Sequence, residues 1–461
     1  MEPLPFIRPY VPAAPVAWRA DRPLSARQLL ADAAGLARLL PERRCVVNLC
    51  EDRYRFTASL GAALLRGQLT LLPASRAPRA LAELLRDYPS SYCLVDGAGV
   101  LPEGTARLAF PPEGFPAPPD EIPAFPPSQP ALVAFTSGST GAAQPHLKPW
   151  GSLVRGAELA ARRFGLDKPP LGSIVATVPA QHMYGLETSV LLPLHSGYAG
   201  AAGRPFFPED IRTQLAQVPA PRILVTTPVH LRACVRSGLR WPPLAFILSA
   251  TAPLPPALAH QAEQTLDAPV LEVFGFTEAG SIASRRTLDG ESWQTYDGVS
   301  LRHGEQGLVV AGGHLDAPVP VHDLIEVSDG VRFRLQGRAT DLIEVAGKRA
   351  SLGDLNQRLQ QLPGVADAVF LMPEPSPTGV TRLMAFVVAP GMSPERVLGM
   401  LREALDPAFL PRPLVMVDAL PRTAVGKLPR EALLALAARL PASGLAAEAW
   451  ALDAPRRRAG A

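Results

Sequence analysis

Residues 222–275 read RILVTTPVHLRACVRSGLRWPPLAFILSATAPLPPALAHQAEQTLDAPVLEVFG, and this stretch decides the fold class. It contains three short apolar segments, RILVTTP (222–228), LAFILSA (244–250) and APVLEVFG (268–275), which are separated by stretches with helical spacing. Short strands that are apolar on both faces are typical of parallel sheets covered by helices. The stretch therefore predicts an α/β fold with a largely parallel sheet.

The same alternation extends toward the N-terminus. Helical patterns and short apolar runs follow one another as SARQLLADAAGLARLL (25–40), CVVNLC (45–50), FTASLGAALLRGQL (56–69), LTLLP (69–73), SYCLVD (91–96) and GSIVATVP (172–179). Residues 102–130 interrupt this order with a proline-dense segment, which predicts an extended surface connection.

The pattern changes after residue 298, where segments such as GLVVAGG and VRFRLQGR predict antiparallel strands. After residue 338 a compact α+β unit of about 100 residues follows. We therefore expect a large N-terminal domain over 1–338, with layered, mostly parallel sheets, helices and a β-rich subdomain. A small α+β C-terminal domain over 339–440 and a tail over 441–461 complete the predicted organisation.

Composition excludes several classes of protein. The net charge is +3 on 45 basic and 42 acidic residues, which gives no footprint for nucleic acid or an anionic membrane. The sequence contains no run of about 18 apolar residues, so we expect no transmembrane helix. The N-terminus lacks the apolar core of a secretory signal. The four cysteines have no metal-binding spacing, so we expect buried free thiols and a cytoplasmic protein.

Lysine is scarce, which draws attention to the places where it occurs. The chain has 41 arginines and four lysines, and three of the four, Lys148, Lys348 and Lys427, lie in or beside the motifs described next. A GC-rich genome accounts for the bias itself. A compact ammonium and a planar guanidinium are nevertheless not interchangeable at a reacting phosphate.

Three motifs follow predicted strands of the large domain. TSGSTG (136–141) combines glycine and hydroxyl residues that can turn several N–H groups toward one anion, and it precedes a predicted helix. VPAQHMYG (178–185) carries His182, and FGFTE (274–278) carries a carboxylate that could hold Mg²⁺ beside a phosphate. The first two also have an ordinary interpretation, as a Ser/Gly turn and a structural histidine.

Two further motifs lie near and within the small domain. GRATD (337–341), followed by EVAGKR (344–349), stands at the change of texture, and PRTAVGK (421–427) presents Lys427 after a glycine. Alone, Lys427 would be a surface lysine. Together and in this order, the five motifs resemble those of the adenylate-forming enzymes: acyl-CoA synthetases, adenylation domains of nonribosomal peptide synthesis and luciferases. The resemblance covers about residues 25–440.

The resemblance implies a reaction and a role for each motif. The family activates a carboxylic acid with ATP to an acyl-adenylate, releases pyrophosphate and transfers the acyl group to a thiol. It implies catalytic roles for Lys427, Thr277, Glu278 and His182, with Glu278 holding Mg²⁺ and Lys427 bridging carboxylate and α-phosphate. The nucleotide-binding residues that it implies are Thr136, Ser137, Gly138, Ser139, Thr140, Gly141, Ser249, Ala250, Phe274, Gly275, Asp323 and Arg338. The C-terminal domain is expected to rotate between the half-reactions, bringing the segment around Gly347 in place of Lys427.

Three features depart from the family's pattern. The phosphate loop is usually followed by Pro-Lys, but the matching residue is Gln144, so either Lys148 takes over or the role is dispensable. The hinge position two residues after Arg338 is usually acidic in the family, but here it is Thr340, and Asp341 follows it. The chain is also shorter than most relatives.

The substrate is only broadly constrained. His182, Tyr184, Thr227 and Ser249 are the expected acyl pocket, a mixture that suits a small or aromatic acid. The phrases QPHLKPW and VTTPVHLRA resemble ligases of the aryl polyene and xanthomonadin pathways, which activate hydroxybenzoate-type starters. The thiol would belong to coenzyme A or to the phosphopantetheine of a stand-alone acyl carrier protein. A fatty or 3-hydroxy acid ligase and a non-catalytic adenylate-binding relative remain alternatives.

Overall fold

The computed structural model describes residues 2–8, 13–73, 76, 78–97, 101–111, 115, 121–136, 144–305, 307–338, 342–345, 348–373, 383–423 and 426–439. The chain forms two units, one comprising Met1–Val321 with Val327–Arg334 and the other His322–Glu326 with Leu335–Ala461. Helices and parallel strands alternate in the first unit, so the predicted α/β class is confirmed.

The elements of the first unit are numbered in chain order. Its helices are α1 (Ala26–Leu39), α2 (Arg53–Leu65), α3 (Pro78–Asp87), α4 (Trp150–Arg163), α5 (Met183–Leu186), α6 (Leu192–Ser196), α7 (Pro208–Gln217), α8 (Pro228–Arg236) and α9 (Pro256–Leu266). Its strands are β1 (Leu4–Pro5), β2 (Pro15–Arg19), β3 (Arg22–Ser25), β4 (Cys45–Asn48), β5 (Leu69–Leu72), β6 (Ser91–Val95), β7 (Arg107–Ala109), β8 (Ala124–Phe125), β9 (Pro130–Thr136), β10 (Gln144–Pro149), β11 (Ser173–Ala176), β12 (Ala199–Ala201), β13 (Arg222–Thr226), β14 (Phe246–Ser249), β15 (Val270–Phe276), β16 (Gly280–Arg286), β17 (Trp293–Thr295), β18 (Val299–Gly304), β19 (Gly307–Gly312) and β20 (Val319–Pro320). A π-helical turn, Glu187–Leu191, joins α5 to α6.

The first sheet runs in the order β10-β9-β5-β4-β6-β7. Its neighbouring strands are parallel except for β9 and β10, which are antiparallel. Every residue of β4 and β6 is buried, as expected of strands whose two faces are both covered. The proline-dense segment is less peripheral than predicted, since β7 joins this sheet and β8 pairs with β1.

Helix α2 is buried around nearly its whole circumference, from Arg53 to Leu64. Small residues permit this close packing, because a Cβ added at Gly61 would lie 2.7 Å from the Phe6 ring. The buried Arg53 guanidinium donates to the carbonyls of Ala176, Val178, Ala201 and Gly203, at 2.8–3.2 Å. Arg53 therefore ties α2 to the carboxyl ends of β11 and β12 in the second sheet.

The second sheet places the carboxyl ends of five neighbouring parallel strands along one edge. Strands β12, β11, β13, β14 and β15 are parallel neighbours, and β16 and β17 continue the sheet antiparallel to β15. Leu224, Ile247 and Val270 lie opposite one another in the register and pack against α7, α8 and α9. Ligands of open α/β sheets bind at such an edge, so the fold positions a candidate site there.

The second unit contains β21 (Asp323–Val327), most of β22 (Arg332–Arg338), β23 (Leu342–Val345), β24 (Lys348–Ser351), α10 (Leu352–Gln360), β25 (Asp367–Leu371), β26 (Met384–Val388), α11 (Pro394–Ala404), β27 (Leu414–Met416) and α12 (Arg430–Ala438). Strands β25, β26 and β27 form one sheet, with Leu355, Phe370, Val387 and Leu401 in the core beside it. This is the α+β arrangement that the sequence predicts for the smaller domain.

All four cysteines are buried and free, as expected. Burial raises the pKa of the Cys93 thiol to about 11 and of the Cys234 thiol to about 12, so both are inert at neutral pH. Within the described residues, no helix combines the length and apolar character that a membrane span requires.

Candidate active site

The TSGSTG motif begins at the end of β9, where Thr136 is the last strand residue. Ser137, Gly138, Ser139, Thr140 and Gly141 lie outside the described residues. Gln144 pairs with Thr136, so β10 stands between the motif and α4. The predicted helix follows as α4, and between the motif and this helix the proline-containing segment QPHLKP forms an edge strand that the sequence did not predict.

A row of hydroxyl side chains crosses the edge of the second sheet. Thr177 follows β11, Thr226 ends β13 and Ser249 ends β14. The Thr177 and Thr226 hydroxyls lie 3.1 Å apart, and Ser249 is the register partner of Thr226. All three are buried, and the Ser249 hydroxyl has no hydrogen-bond partner among the described residues. A buried orphan hydroxyl at a strand end is a group that a ligand could satisfy.

The turn after Ser249 is strained. Ala250 is buried, and Thr251 has a φ of +79°, a left-handed conformation that β-branched residues rarely adopt. Such strain is concentrated at functional sites. This is the segment LSATAPLP, whose backbone the resemblance assigns to nucleotide binding.

Phe274 and Gly275 lie near the end of β15. The half-buried Phe274 ring packs at 5.6 Å from the Trp293 ring and 5.6 Å from the Phe333 ring, measured between centroids. A Cβ added at Gly275 would lie 2.3 Å from the Gly280 carbonyl oxygen, so only glycine fits between β15 and β16. The aromatic cluster holds one side of the Phe274 ring in place.

Thr277 and Glu278 occupy the turn between β15 and β16. The Glu278 carboxylate lies 3.5 Å from the Nε2 atom of His146, and its side chain is 33% exposed. The buried Lys148 donates from Nζ to the main-chain carbonyl of Glu278 at 2.6 Å. His146 and Lys148 alternate on β10, so both face this turn.

The donor set at the turn fits a magnesium ion that is shared with a substrate. Mg²⁺ takes oxygen ligands and commonly combines one or two carboxylates with substrate phosphates. Glu278 supplies an accessible carboxylate, and Thr277 a hydroxyl beside it. Over the part of the chain that the structure describes, no group of three or more His, Cys, Asp or Glu side chains could hold a metal alone.

Besides Ser249 at the end of β14, the predicted acyl-pocket residues lie at the starts of two helices. His182 caps α5, and its Nδ1 accepts a hydrogen bond from the Tyr184 N–H at 3.3 Å. Tyr184 is buried, which raises the pKa of its hydroxyl. Thr227 caps α8 and has its Oγ1 2.9 Å from the Nδ1 of His230. Burial and the Arg204 charge lower the pKa of His230 to about 4, so this imidazole is neutral at pH 7.

The remaining predicted residues belong to the second unit. Asp323 begins β21 and is half-buried, and Arg338 ends β22 with its side chain outside the described residues. Lys427 is exposed on a tight loop in which Gly426 has a φ of +80°. Thr340, Asp341 and Gly347 lie outside the described residues.

Sequence reasoning missed three residues around the Glu278 turn, His146, Glu187 and His314. It named Lys148 but did not predict its hydrogen bond to the Glu278 carbonyl. His314 donates from Nε2 to the Ala279 carbonyl at 2.7 Å, and Glu187 accepts from the Ser281 N–H at 3.1 Å. The alternation of His146 and Lys148 was the available signal, since it places both side chains on one face of a strand. Nothing local to Glu187 or His314 indicated their partners.

Comparison with known proteins identifies the family of the chain. Residues 12–312 match the family model for AMP-binding enzymes, and residues 354–427 match its C-terminal domain. The 4-coumarate–CoA ligase of Rhodobacter capsulatus is 32% identical over 305 residues, covering 65% of this chain and 75% of that protein. The 3-hydroxybenzoate–CoA/4-hydroxybenzoate–CoA ligase of Thauera aromatica is 25% identical over 350 residues, covering 66% of this chain and 65% of that protein.

A solved structure supports the same fold. ATP-bound MatB from Rhodopseudomonas palustris superposes with a TM-score of 0.77 at 18% identity, covering 92% of this chain and 95% of that one. The architecture of a large N-terminal domain with mixed sheets and a smaller C-terminal domain is thereby confirmed. The chain belongs to the AMP-binding enzyme family and is an enzyme of the adenylate-forming ligase class.

Proposed function

We propose that this enzyme activates an aromatic, hydroxybenzoate-like carboxylic acid with ATP and transfers the acyl group to a thiol. One observation carries the proposal. The strand that follows the TSGSTG motif, β10, lies against the Thr277–Glu278 turn. Lys148 Nζ is 2.6 Å from the Glu278 carbonyl oxygen, and His146 Nε2 is 3.5 Å from the Glu278 carboxylate. Thr136, the first residue of the motif, is the register partner of Gln144 on that strand. We propose that a nucleotide's phosphates bind between the start of this motif and the Thr277–Glu278 turn.

The first half-reaction forms the acyl-adenylate. A carboxylate oxygen of the acid attacks the α-phosphorus of ATP, the bond to the bridging oxygen of the β-phosphate breaks, and pyrophosphate leaves. Thr136–Gly141 would hold the β- and γ-phosphates, and Thr277 and Glu278 the α-phosphate and Mg²⁺. A bound Mg²⁺ would neutralise charge on the phosphate oxygens. Lys427 would supply fixed positive charge where negative charge develops.

Different residues would bind the two parts of the nucleoside, the adenine and the ribose. Phe274 would stack on the adenine, with the Ser249–Ala250 backbone and Gly275 lining its surroundings. Asp323 and Arg338 would bind the ribose. In the second half-reaction a thiol sulfur attacks the acyl carbon, the bond to the phosphate oxygen breaks, and AMP leaves.

The two units would have different roles. We propose that residues 1–338 form the adenylation domain, that 339–440 form a domain that rotates between half-reactions, and that 441–461 are a tail. Because the enzyme consumes ATP, we also propose that it acts in the cytoplasm.

The aromatic class is supported by the relatives and by the pocket residues. Two of the similar proteins are named as ligases of 4-coumarate and of hydroxybenzoates. His182, Tyr184, Thr227 and Ser249 offer one aromatic ring, one imidazole and two hydroxyls, which suit a ring with a polar substituent better than an alkyl chain. The resemblance of QPHLKPW to aryl polyene and xanthomonadin ligases points to the same class.

The acceptor is proposed to be coenzyme A, as in those two relatives. The phosphopantetheine of a stand-alone acyl carrier protein is the second candidate, favoured by the pigment-ligase resemblance. Mass measurement of the product with each acceptor distinguishes the two.

The test is acid-dependent release of pyrophosphate from ATP with Mg²⁺, with hydroxylamine to trap the adenylate. The panel contains hydroxybenzoates, cinnamates, 3-hydroxy acids and fatty acids. We expect release with hydroxybenzoates or cinnamates. A preference for fatty or 3-hydroxy acids would refute the aromatic assignment, and ATP binding without release for any acid would indicate a non-catalytic relative.

A further inference from the structure

The turn that carries Thr277 and Glu278 is held by side chains from three separate segments. Lys148 of β10 donates to the Glu278 carbonyl at 2.6 Å, and His314, after β19, donates to the Ala279 carbonyl at 2.7 Å. Glu187 of the π-helical turn accepts from the Ser281 N–H at 3.1 Å and from the Ser281 hydroxyl at 2.5 Å. Three of the four residues from Glu278 to Ser281 are therefore held by side chains from outside the β15–β16 hairpin.

The environment of Lys148 differs from that of a phosphate ligand. Its residue is 6% exposed, and its ammonium hydrogen-bonds a main-chain oxygen at short range. Burial lowers the pKa of Lys148, while the nearby charges of Glu187 and Glu278 act to keep it protonated. The charge is thus compensated inside the protein, where it strengthens the hydrogen bond to the carbonyl.

The choice of lysine fits this position. An ammonium is a compact donor on a flexible stem, whereas a guanidinium brings five N–H groups that a buried site must satisfy. The chain has 41 arginines and four lysines, yet a lysine occupies this buried strand position.

We propose that Lys148 is a positioning residue for adenylate formation: with His314 and Glu187 it fixes the Thr277–Glu278 turn, and it does not bind the phosphates itself. The inference rests on the proposed adenylation. The sequence left two alternatives for the missing Pro-Lys pair: Lys148 takes over the role of the phosphate-loop lysine, or that role is dispensable. The proposal favours the second, because Lys148 acts through the protein backbone and no lysine replaces the usual one.

A double-mutant cycle tests the proposal. Lys148→Met keeps the length of the side chain and removes the donor and the charge, and Glu278→Gln removes the carboxylate. Acid-dependent exchange of pyrophosphate into ATP gives kcat and KM for each variant, and nucleotide binding is titrated separately with the metal chelated. Lys168→Met, at an exposed lysine, is the matched control and is expected to match the parent enzyme.

We expect Lys148→Met to lower kcat about 10- to 30-fold, with KM for ATP and metal-free ATP binding changed less than about threefold. When Glu278→Gln is already present, Lys148→Met should lower kcat by less than about a further threefold, because both substitutions impair the function of the Glu278 carboxylate. Effects that multiply fully, or metal-free ATP binding weakened tenfold, would mean that Lys148 contacts the phosphates, and the proposal would be wrong.

A second variant keeps the test independent of how well Lys148→Met folds. His314→Phe removes the N–H donor to the Ala279 carbonyl while keeping a ring, and should reproduce the loss of kcat, again without multiplying the effect of Glu278→Gln. Full exchange activity in both Lys148→Met and His314→Phe would overturn the inference while leaving the proposed function intact. No exchange in the parent enzyme with any acid would instead overturn the proposed function.

Discussion

Lys427 is held by the backbone of its own loop. The Thr423 N–H donates to the Lys427 carbonyl at 2.7 Å, and the Lys427 N–H donates to the Thr423 hydroxyl at 3.1 Å. The loop therefore presents Lys427, which is an exposed residue, on a defined turn. A cation presented in this way can enter a site during one step and leave it in the next.

Replacing Lys427 with alanine should abolish adenylate formation, with a loss of about 10²- to 10³-fold in kcat, because charge stabilisation in the transition state is removed. Thioester formation from a supplied acyl-adenylate should stay within a few-fold of the parent enzyme. The two half-reactions are measured separately, with Lys168→Ala as the control for an exposed lysine. Unchanged adenylation would refute the role assigned to Lys427.

Gly280 is the residue that closes the Glu278 turn. Its φ is +75°, and an added Cβ would lie 2.4 Å from the Oε1 atom of Glu187. Gly280→Ala should therefore cost about 1–3 kcal/mol of stability, since it combines left-handed strain with displacement of the carboxylate. Adenylation should fall as well, because Glu187 holds Ser281 in the same turn.

The matched control is Gly238→Ala. Gly238 has a φ of +67° with nothing within 4 Å of the added Cβ, so it shares the backbone strain and lacks the clash. We expect a smaller loss of stability, about 1 kcal/mol, with full activity. Equal effects of the two variants on activity, measured alongside denaturant unfolding, would show that the contact with Glu187 is unimportant.

At the scale of elements, the Lys427 loop is fastened to β25 by one ion pair. Arg422 donates from Nε and Nη2 to the two carboxylate oxygens of Asp367, at 2.6 Å and 2.7 Å, and from Nη1 to the Gly426 carbonyl at 2.9 Å. Both side chains are largely buried, and a bidentate pair fixes direction as well as distance. The strand thereby orients the loop.

Arg422→Met should loosen the loop without removing Lys427. We expect kcat for adenylation to fall about tenfold, because a misplaced catalytic group loses most of its effect. Asp367→Asn should give a loss of similar size, and the double variant should be no worse than the more affected single variant. Additive losses in the adenylation assay would show that the two residues act separately.

The sequence predicted most elements closely, because their cores follow simple periodicities. Helix α1 and strands β4 and β11 fall within the predicted segments SARQLLADAAGLARLL, CVVNLC and GSIVATVP, and strands β13, β14 and β15 lie where the alternation with helices predicts them. Strand β10 was missed because two prolines in QPHLKP indicate a loop. Prolines are tolerated there because β10 is an edge strand, and edge position depends on sheet order rather than local sequence.

The candidate site was predictable only as a set of motifs. Thr277 and Glu278 follow an apolar strand, which local sequence indicates. The contact of Lys148 with Glu278 spans 130 positions, and the contact of Glu187 with Ser281 spans 94. Such contacts depend on how two sheets pack, and no periodicity in one segment encodes them.

At the scale of the whole first unit, the two sheets and the helices between them are joined by buried polar groups. Arg53 ties α2 to the second sheet through four carbonyl acceptors, and burial together with the Arg204 charge lowers its pKa to about 10. His195, at the end of α6, packs 5.8 Å from Trp150 of α4 and is buried. They stabilise the unit in the protonation states that they have at neutral pH, with Arg53 charged and His195 neutral.

Acid should therefore destabilise the first unit through its buried imidazoles. Burial lowers the pKa of His195 to about 4, and burial with the Arg204 charge lowers that of His230 to about 4, against an ordinary value of 6.5. Between pH 4 and pH 6.5 the histidines of the unfolded chain bind protons that those of the folded chain do not. The free energy of unfolding therefore does not depend on these histidines above about pH 6.5, and it declines as the pH falls toward 4. Each histidine should account for about 3 kcal/mol of that decline.

Denaturant unfolding between pH 7.5 and 4.5 measures the effect for the parent enzyme, His195→Gln and the double variant with His230→Gln. The same carboxylates titrate in this range in all three proteins. The difference between the proteins in how the free energy of unfolding changes with pH therefore reports the contribution of the histidines. We expect His195→Gln to remove about half of the imidazole contribution and the double variant to remove nearly all of it, even if both are less stable at pH 7.5. Parallel slopes in all three proteins would show that these imidazoles accept protons in the folded state, and that their burial does not set the acid limit of the fold.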